Sequence, residues 1–288
     1  MYKVVTKRFL NEAKTICLFE IEAPLVARHA QAGQFVIFRL DEQGERVPVS
    51  VAGWDREKGT VTVMVQAAGR TTKMLHTVEQ GDYISDFVGP LGKATEIEGL
   101  EKVCVVGGGV GCAIAYPIAK VMHEAGIDVT FIAGFRSADI VILKDELAAV
   151  SDKLIICTDD GTYGEKGFTT QYLQQEIDEN IDQGKRQFDR VVAIGPDIMM
   201  KFLADVTRPY GIKTIISLDP IMVDGTGMCG GCRVIVGGET KFACVDGPDF
   251  DAHQVDFDSL LKRAAFYKDE QDEAAKHICR MTGGKRNG

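Results

Sequence analysis

The residues best suited to chemistry lie in a glycine-rich segment near the end of the chain. The segment reads Asp224-Gly225-Thr226-Gly227-Met228-Cys229-Gly230-Gly231-Cys232, and Cys244 follows twelve residues later. With a cysteine at position 224, this would be the C-x4-C-x2-C…C spacing of plant-type [2Fe–2S] proteins. A carboxylate can also ligate iron, although it is a harder ligand than a thiolate. We therefore predict an iron–sulfur cluster held by Asp224, Cys229, Cys232 and Cys244.

Other chemistry remains open for the same residues. Three cysteines and one carboxylate could hold a zinc ion, which would make the chain a non-redox zinc-binding interaction module. Cys229 with Cys232 could instead form a metal-free redox pair. Asp224 could instead be a solvated carboxylate in a glycine-rich turn. The remaining cysteines are expected to pack as small hydrophobic side chains or to stay as free thiols: Cys17, Cys104, Cys112 and Cys157 in apolar runs, and Cys279 in the tail.

A second candidate site is the run Gly107-Gly108-Gly109-Val110-Gly111, which follows a predicted apolar strand at 102–106 and precedes a helix predicted to reach about Ala125. Glycines let a backbone approach a diphosphate, and a helix N-terminus offers N–H groups and positive partial charge. The run is not a complete G-x-G-x-x-G, because Cys112 replaces the last glycine. The usual acidic residue after the second strand is also missing, and Arg136 lies there. A tight turn that binds nothing is the alternative.

Two later strand ends carry loops of the same kind. In an open α/β sheet, ligands bind beyond the carboxyl ends of the strands. Three such loops on one edge favour a dinucleotide over a simple turn. The predicted contacts in the two later loops are Asp159, Asp160, Gly161, Gly195 and Pro196. A solvated turn is the alternative for the two aspartates.

The N-terminal region offers a second diphosphate site. The segment Arg46-Val47-Pro48-Val49-Ser50 begins a strand, and Gly69-Arg70-Thr71-Thr72 follows another strand. A guanidinium, two hydroxyls and free backbone N–H groups can bind a diphosphate. Surface turns without a ligand are the alternative for both segments.

Two kinds of fold are needed to position these residues. Residues 1–98 read as short strands separated by turns, with one short helix at 71–77, which indicates an antiparallel β-barrel. Residues 99–218 alternate strands and helices, which predicts an α/β domain with a doubly wound parallel sheet. Residues 219–288 are expected to form the cluster loop and a helical tail, with an amphipathic helix near 257–269. The predicted strands are 15–22, 34–40, 59–65, 102–106, 128–133, 153–157, 190–194 and 213–217, and the other predicted helices lie near 138–150, 167–182 and 197–209.

Composition limits the function classes. The chain has 288 residues, of which 45% are hydrophobic and 26% charged, and its net charge is −9. Such an acidic chain is a poor candidate for nucleic-acid binding, which needs a basic face. No apolar run approaches the roughly 18 residues of a membrane span, and the N-terminus lacks the apolar core of a signal peptide. We expect a cytoplasmic protein.

The order of these segments resembles the ferredoxin–NADP reductase superfamily, and in particular its iron–sulfur electron-transfer subunits. The resemblance covers nearly the whole chain. Two groups of relatives compete: the iron–sulfur subunit of dihydroorotate dehydrogenase, and the small subunit of NADH-dependent reduced ferredoxin:NADP oxidoreductase, also known as the sulfide dehydrogenase small subunit. The first group carries four cluster cysteines, whereas the second carries aspartate at the first position, as Asp224 does here. The run Ala115-Tyr116-Pro117-Ile118-Ala119-Lys120 is a less specific match to the second group.

The resemblance implies an oxidoreductase with FAD in the barrel, NAD(H) at the second domain and a [2Fe–2S] cluster. It also implies a heterodimer with a larger flavoprotein subunit that carries [4Fe–4S] clusters and through which this chain is coupled to ferredoxin and NADP. The resemblance implies that the complex bifurcates electrons. The implied activity is an electron relay between NADH, FAD and the cluster. By position, the resemblance assigns the isoalloxazine side to Arg46, Pro48, Val49 and Ser50, and the FAD diphosphate to Gly69, Arg70, Thr71 and Thr72.

The sequence departs from the superfamily pattern at the flavin segment. Val49 stands where the superfamily has an aromatic residue, and Arg46 is displaced by one position. Ile114 stands where many relatives have proline. The family implies a preference for NADH, although Arg136 could hold the 2′-phosphate of NADPH.

Overall fold

The computed structural model describes residues 1–266. The N-terminal elements are β1 (Tyr2–Phe9), β2 (Ile16–Glu22), α1 (Pro24–His29), β3 (Phe35–Arg39), β4 (Val47–Asp55), β5 (Thr60–Gln66), α2 (Arg70–Leu75), β6 (Tyr83–Ile84) and β7 (Asp86–Leu91). The strands pair antiparallel in the order β6-β1-β2-β5-β4-β3-β7 and form a nearly closed barrel. The predicted barrel is therefore confirmed.

The barrel core follows from the alternation of apolar side chains along its strands. In β2, Phe19 and Ile21 are buried while Glu20 between them is only partly buried, and β5 repeats this pattern with Val61 and Val63. Successive side chains of a strand point to opposite faces. One face of each strand therefore fills the barrel, and the other faces outward.

The second region alternates strands and helices as predicted. Its elements are β8 (Lys102–Gly108), α3 (Gly111–Glu124), β9 (Asp128–Phe135), α4 (Lys144–Ala148), β10 (Lys153–Thr158), β11 (Glu165–Lys166), α5 (Thr169–Asp182), β12 (Arg190–Ile194), α6 (Asp197–Thr207) and β13 (Thr214–Ser217), with 3-10 turns at Ala138–Ile140 and Arg208–Tyr210. The C-terminal elements are β14 (Arg233–Val236), β15 (Glu239–Phe242), α7 (Ala243–Asp246), β16 (Asp249–Asp251) and α8 (Phe257–Ala264).

The second sheet has the order β11-β10-β9-β8-β12-β13-β16, in which only the last pairing, of β16 with β13, is antiparallel. The central strand β8 is buried on both faces. Val103 and Val105 pack into a core that contains α3, whereas Cys104 and Val106 pack into a core that contains α5 and α6. A continuous apolar run with helices on both sides is the pattern of a doubly wound parallel sheet, which confirms the predicted fold class.

The helix predicted near 138–150 is interrupted. A 3-10 turn covers Ala138–Ile140, and α4 begins only at Lys144. Between them Leu143 has a φ of 57°, a left-handed conformation that ends helical continuity. The run before it, Ile140-Val141-Ile142, consists of β-branched residues with low helix propensity.

The C-terminal segment packs against both sheets. β16 extends the parallel sheet, and β14 pairs with β15 across Gly237 and Gly238, which both have positive φ. α8 begins at Phe257, and Asp256 caps it by accepting a hydrogen bond from the backbone N–H of Ser259 at 3.0 Å. The predicted end of this helix, near 269, and Cys279 lie outside the described residues. The predicted domain limits fall between β7 and β8 and just after β13, and they stay predictions.

Candidate functional site

A cavity of about 1250 Å³ lies between the barrel and the carboxyl edge of the parallel sheet. Both regions contribute residues that were predicted from sequence. The predicted residues that line it are Pro48, Val49, Ser50, Gly108, Gly109, Val110, Gly111, Asp159, Gly195 and Pro196. The other predicted cofactor residues, all within the described part of the chain, lie outside its lining: Arg46, Gly69, Arg70, Thr71, Thr72, Gly107, Asp160 and Gly161.

The glycine loop, residues 107–111, forms part of the cavity wall, and residues of β12 and α6 pack closely against it. A Cβ on Gly111 would lie 2.2 Å from the backbone oxygen of Ile194, and a Cβ on Gly108 would lie 2.5 Å from the sulfur of Met199. Gly109 has a φ of 57°, and nothing lies within 4 Å of the position where its Cβ would be. The loop thus presents open backbone to the cavity directly before α3. This shape fits a nucleotide diphosphate, which binds N–H groups at a helix N-terminus.

In the loop after β10, the two neighbouring aspartates have different surroundings. Asp159 lines the cavity, and its backbone N–H donates to the oxygen of Phe135 at 3.0 Å. Asp160 is exposed and accepts hydrogen bonds from the hydroxyl of Thr162 at 2.7 Å and from its N–H at 3.0 Å. These bonds lower the pKa of Asp160. Asp160 therefore stabilises the turn through Thr162, and its contact with a nucleotide stays a prediction.

The cavity also contains charged residues that the sequence analysis missed. Asp197 lies at the start of α6, and Asp219 follows the end of β13. Burial, together with the neighbouring charge of Asp219, raises the pKa of Asp197 to about 6. Burial also raises the pKa of Asp219. Arg263 is a third missed residue that lines this cavity, and Arg136, which the sequence analysis already singled out, lines it too. The rule that ligands bind at strand ends could have found both aspartates, since each follows a predicted strand.

The barrel turn at Gly69 is held by its own hydroxyls. The Thr72 hydroxyl accepts from the N–H groups of Ala68 at 3.1 Å and Gly69 at 3.0 Å. The buried Thr71 donates its hydroxyl hydrogen bond to Glu45. Both threonine hydroxyls therefore have hydrogen-bond partners inside the protein, and the role of this turn at a diphosphate stays a prediction.

The four predicted cluster ligands lie in two pairs. The Cys229 thiol donates to Asp224 Oδ1 with a sulfur–oxygen distance of 3.2 Å. The backbone N–H of Cys244 donates to Cys232 Sγ at 3.4 Å. Cys229 is exposed, whereas Cys232 and Cys244 are buried. The Asp224–Cys229 pair therefore lies at the surface, and the Cys232–Cys244 pair lies beneath it.

Electrostatics differ between the two pairs. Hydrogen bonds from the Cys229 thiol and then from Thr226 and Met228 hold the pKa of Asp224 well below its usual range. Burial and the neighbouring Cys232 raise the pKa of the Cys244 thiol to about 11. Asp224 is therefore ionised near neutral pH. The Cys244 thiol needs a metal ion to become a thiolate near neutral pH, since a metal displaces the proton of a coordinating thiol.

This donor set fits a two-iron cluster. A [2Fe–2S] cluster takes two protein ligands on each of two irons, and the four predicted ligands lie in two pairs, Asp224 with Cys229 and Cys232 with Cys244. Backbone N–H groups also point at the sulfurs, as Gly231 does toward Cys229 at 3.4 Å. Such N–H dipoles stabilise the charge of an iron–sulfur centre.

Comparisons with known proteins agree with this architecture. Residues 219–256 match the iron–sulfur cluster binding domain of dihydroorotate dehydrogenase B. A Thermotoga maritima homologue of the electron transfer subunit of dihydroorotate dehydrogenase B (NAD(+)) is 45% identical over 94% of both chains. The Bacillus cereus electron transfer subunit of that enzyme is 32% identical over 84% of this chain and 93% of its own.

A solved structure is also closely similar along the whole chain. The protein in that structure is an NADH-dependent reduced ferredoxin-NADP oxidoreductase, which was studied for flavin-based electron bifurcation. It is 44% identical, with a TM-score of 0.88, and covers 97% of this chain and 98% of that one. Phthalate dioxygenase reductase, at 17% identity and a TM-score of 0.58, shares the fold.

Fold and site thus define an oxidoreductase of the ferredoxin–NADP reductase type with an added iron–sulfur domain. The chain belongs to the family of electron-transfer subunits found in dihydroorotate dehydrogenase B and its homologues. The family resemblance seen in the sequence is confirmed. Fold and family support FAD, NAD(H) and a [2Fe–2S] cluster as its cofactors. In the described part of the chain, no helix has both the length and the apolar character needed to cross a bilayer.

Proposed function

We propose that this chain is the small subunit of an NADH-dependent reduced ferredoxin:NADP oxidoreductase. It moves electrons between NAD(H), FAD and a [2Fe–2S] cluster. Its partner is a larger flavoprotein subunit with [4Fe–4S] clusters, through which it is coupled to ferredoxin and NADP and takes part in electron bifurcation. The observation that carries the proposal is the Asp224–Cys229 pair, because it occupies the position of the first two cluster ligands and begins with aspartate.

The cavity residues have distinct roles in this proposal. The glycine loop and the first N–H groups of α3 hold the diphosphate of NAD(H), with Asp159, Gly195 and Pro196 beside it. Pro48–Ser50 form the wall along the isoalloxazine. When bound, FAD supplies the exchange between a hydride and single electrons, and the protein supplies orientation and electrostatics.

Three groups of predicted residues act outside the cavity in the proposal. Gly69–Thr72 hold the FAD diphosphate at the start of α2, and Asp160 and Gly161 shape the turn beside the nucleotide. Asp224 and Cys229 hold one iron, and Cys232 and Cys244 hold the other. The cytoplasm is the proposed location, because its reducing conditions keep thiols unpaired, and the seven cysteines within the described residues are all free.

A second candidate is the electron-transfer subunit of an NAD-linked dihydroorotate dehydrogenase. It is favoured by the match of residues 219–256 to that enzyme's iron–sulfur domain. Purification of the complex from its native source separates the two. The first proposal expects a large subunit that reduces NADP with NADH and reduced ferredoxin. A partner that oxidises dihydroorotate would establish the second.

The cluster assignment is tested by replacing Asp224 with cysteine and, separately, with alanine. If Asp224 binds iron, Asp224→Cys keeps a cluster, now with four thiolates, and its absorption, EPR spectrum and midpoint potential all move. Asp224→Ala should lose iron faster under anaerobic dilution. Asp205→Cys is the matched control, since it adds a thiol at an exposed position of α6. Unchanged EPR spectra and potentials in both Asp224 variants would remove this residue from the site.

A further inference from the structure

We propose that Arg46 is a positioning residue of the cluster loop, the segment from Asp219 to Cys232, rather than a flavin contact. Its guanidinium holds the backbone immediately before Asp224 and so fixes the first iron ligand relative to the barrel strand that forms the flavin wall. The inference rests on the proposed function in one respect, since it takes Asp224 to be an iron ligand.

The first observation is a hydrogen bond between residues that are far apart in sequence. Arg46 Nε donates to the backbone oxygen of Val223 at 2.6 Å, across 177 residues of chain. Hydrogen bonds from a charged donor are short and about twice as strong as neutral ones. Arg46 is also absent from the cavity lining, whereas Pro48, two residues later, is part of it. Its side chain is thus committed to the cluster loop.

The second observation lies on the other side of Asp224. Gly225 packs so closely on the barrel that a Cβ there would lie 2.8 Å from Cδ1 of both Ile37 and Leu91. The residue before Asp224 is therefore held by Arg46, and the residue after it is held against β3 and β7. These two contacts leave the Asp224 carboxylate little freedom relative to the barrel.

The third observation is that Arg46 is itself anchored. The preceding residue, Glu45, accepts a hydrogen bond from the buried hydroxyl of Thr71 in α2. The following residues enter β4, whose Pro48–Ser50 segment lines the cavity. One short segment thus joins α2, the proposed flavin wall and the cluster loop. In the proposal, this connection fixes the distance between FAD and the [2Fe–2S] cluster, which exchange electrons.

Arg46→Met and Arg46→Lys test the proposal in the full chain. Methionine keeps an apolar stem of similar length but removes the donor, whereas lysine keeps a cationic donor. The backbone N–H groups of Met228 and Cys229 donate to Asp224, so their hydrogen exchange reports whether Asp224 is held in place. In cluster-free chain, Arg46→Met should speed exchange at these amides by about tenfold, and lysine should restore most of the protection.

Cofactor content supplies the second measurement. Arg46→Met should retain flavin but lose iron faster and show a shifted EPR spectrum. Arg208→Met is the control, because Arg208 also donates to a backbone oxygen, that of His253 at 3.3 Å, away from the loop. Loss of flavin with unchanged exchange and EPR would overturn the proposal and return Arg46 to the flavin site. Lysine exchanging as fast as methionine would also overturn it.

The experiments distinguish the hypothesis that Asp224 binds iron from the hypothesis that Arg46 positions the cluster loop. If Asp224 does not bind iron, Asp224→Cys leaves the EPR spectrum unchanged, yet Arg46→Met still speeds exchange of the loop amides. If Arg46 does not position the loop, Asp224→Cys moves the spectrum while Arg46→Met leaves the exchange unchanged. The exchange measurement needs no bound cluster, so it remains interpretable in both cases.

Discussion

The two glycine-rich loops of this chain need glycine for different physical reasons. In the nucleotide loop, residues 107–111, space is the main requirement, because a Cβ on Gly108 or Gly111 would lie 2.5 or 2.2 Å from its nearest atom, and Gly109 alone among these five residues has a positive φ. In the cluster loop, backbone conformation is the requirement that Gly225 and Gly227 share, since their φ values are +76° and +83°, and Gly225 also needs space against the barrel. Similar composition in two loops therefore does not mean similar structural constraints.

The two loops also differ in what supports them. The nucleotide loop lies between the buried strands β8 and β12 and is continuous with a helix of 14 residues. The cluster loop is held by hydrogen bonds to Asp224 and by arginines that donate to its carbonyls, as Arg233 does to Gly230 at 2.8 Å. Met228 within it is 88% exposed. The nucleotide loop is shaped by the hydrophobic core. The cluster loop depends on polar contacts and on the cluster that we propose its ligands hold.

The largest expected effect comes from filling the space behind the nucleotide loop. In Gly111→Ala, the new methyl group collides with the backbone of Ile194, which cannot move as a flexible side chain would. We expect a loss of about 3 kcal/mol in unfolding free energy, as for an overpacked core, and NADH affinity at least tenfold weaker. Urea unfolding and NADH titration measure the two quantities.

Gly53→Ala serves as the control for this substitution. A Cβ on Gly53 would make ordinary contacts at 3.5 Å, and Gly53 has no positive φ. Its stability should change by less than about 1 kcal/mol, as for a substitution that meets no steric obstacle. Equal losses in the two variants would show that the nucleotide loop is not limited by space.

A smaller effect is expected from Gly227→Ala in the cluster loop. Left-handed backbone costs a residue with a Cβ roughly 1–2 kcal/mol. The nearest atom to a Cβ at this position is a methyl carbon of Val245, at 3.1 Å. Iron and sulfide content should fall while NADH affinity stays unchanged, which is the reverse of the Gly111→Ala result.

Gly126→Ala isolates the conformational part of that cost. Gly126 has a φ of +80°, and nothing lies within 4 Å of the position of its Cβ. It should lose stability by a similar amount without losing iron. If Gly126→Ala also released iron, the cluster would be responding to general destabilisation rather than to its own loop.

The two loops also differ in how much of each could be predicted from the sequence. The nucleotide loop was predictable because β8 is an uninterrupted apolar run followed by glycines, and both signals are local. The cluster ligands were inferred from spacing alone, and their binding of iron stays a prediction. The contact from Arg46 to Val223 was not, because it spans 177 residues and depends on how the cluster loop packs on the barrel. The superfamily pattern pointed toward the flavin instead.

Short elements were also beyond the sequence analysis. β16 has only three residues, Asp249–Asp251, and β14 and β15 have four each. Such runs are too short to show a period of two. They form because the longer strand β13 and the turn at Gly237 and Gly238 provide partners for them. Tertiary pairing, which no local pattern contains, decides these segments.

The strand that joins the two regions offers a substitution expected to raise stability rather than lower it. Asp249 lies in β16, which connects the segment after the cluster loop to the nucleotide sheet. Its Oδ2 accepts from the Thr95 hydroxyl at 2.6 Å, and its Oδ1 is buried without a hydrogen-bond partner among the described residues. Burial raises the pKa of Asp249 to about 6. This carboxyl is therefore protonated in the folded protein at pH values where the unfolded chain is already ionised.

The sign of the pH dependence follows from that shift. A group with a raised pKa in the folded state stabilises the fold fully below its unfolded pKa, near 4, and this contribution is lost as pH rises through about 6. Asp249→Asn cannot ionise and can still accept from Thr95. It should therefore gain stability relative to the wild type between pH 4 and 7, by on the order of 2 kcal/mol. Thermal midpoints of both proteins across this range measure the difference.

Asp197→Asn is the comparison at the cavity, where the carboxyl is more accessible and a smaller gain is expected. A difference between Asp249→Asn and wild type that stays flat with pH would mean that this carboxyl is ionised in the folded protein, and that pH does not act on the join between the two regions.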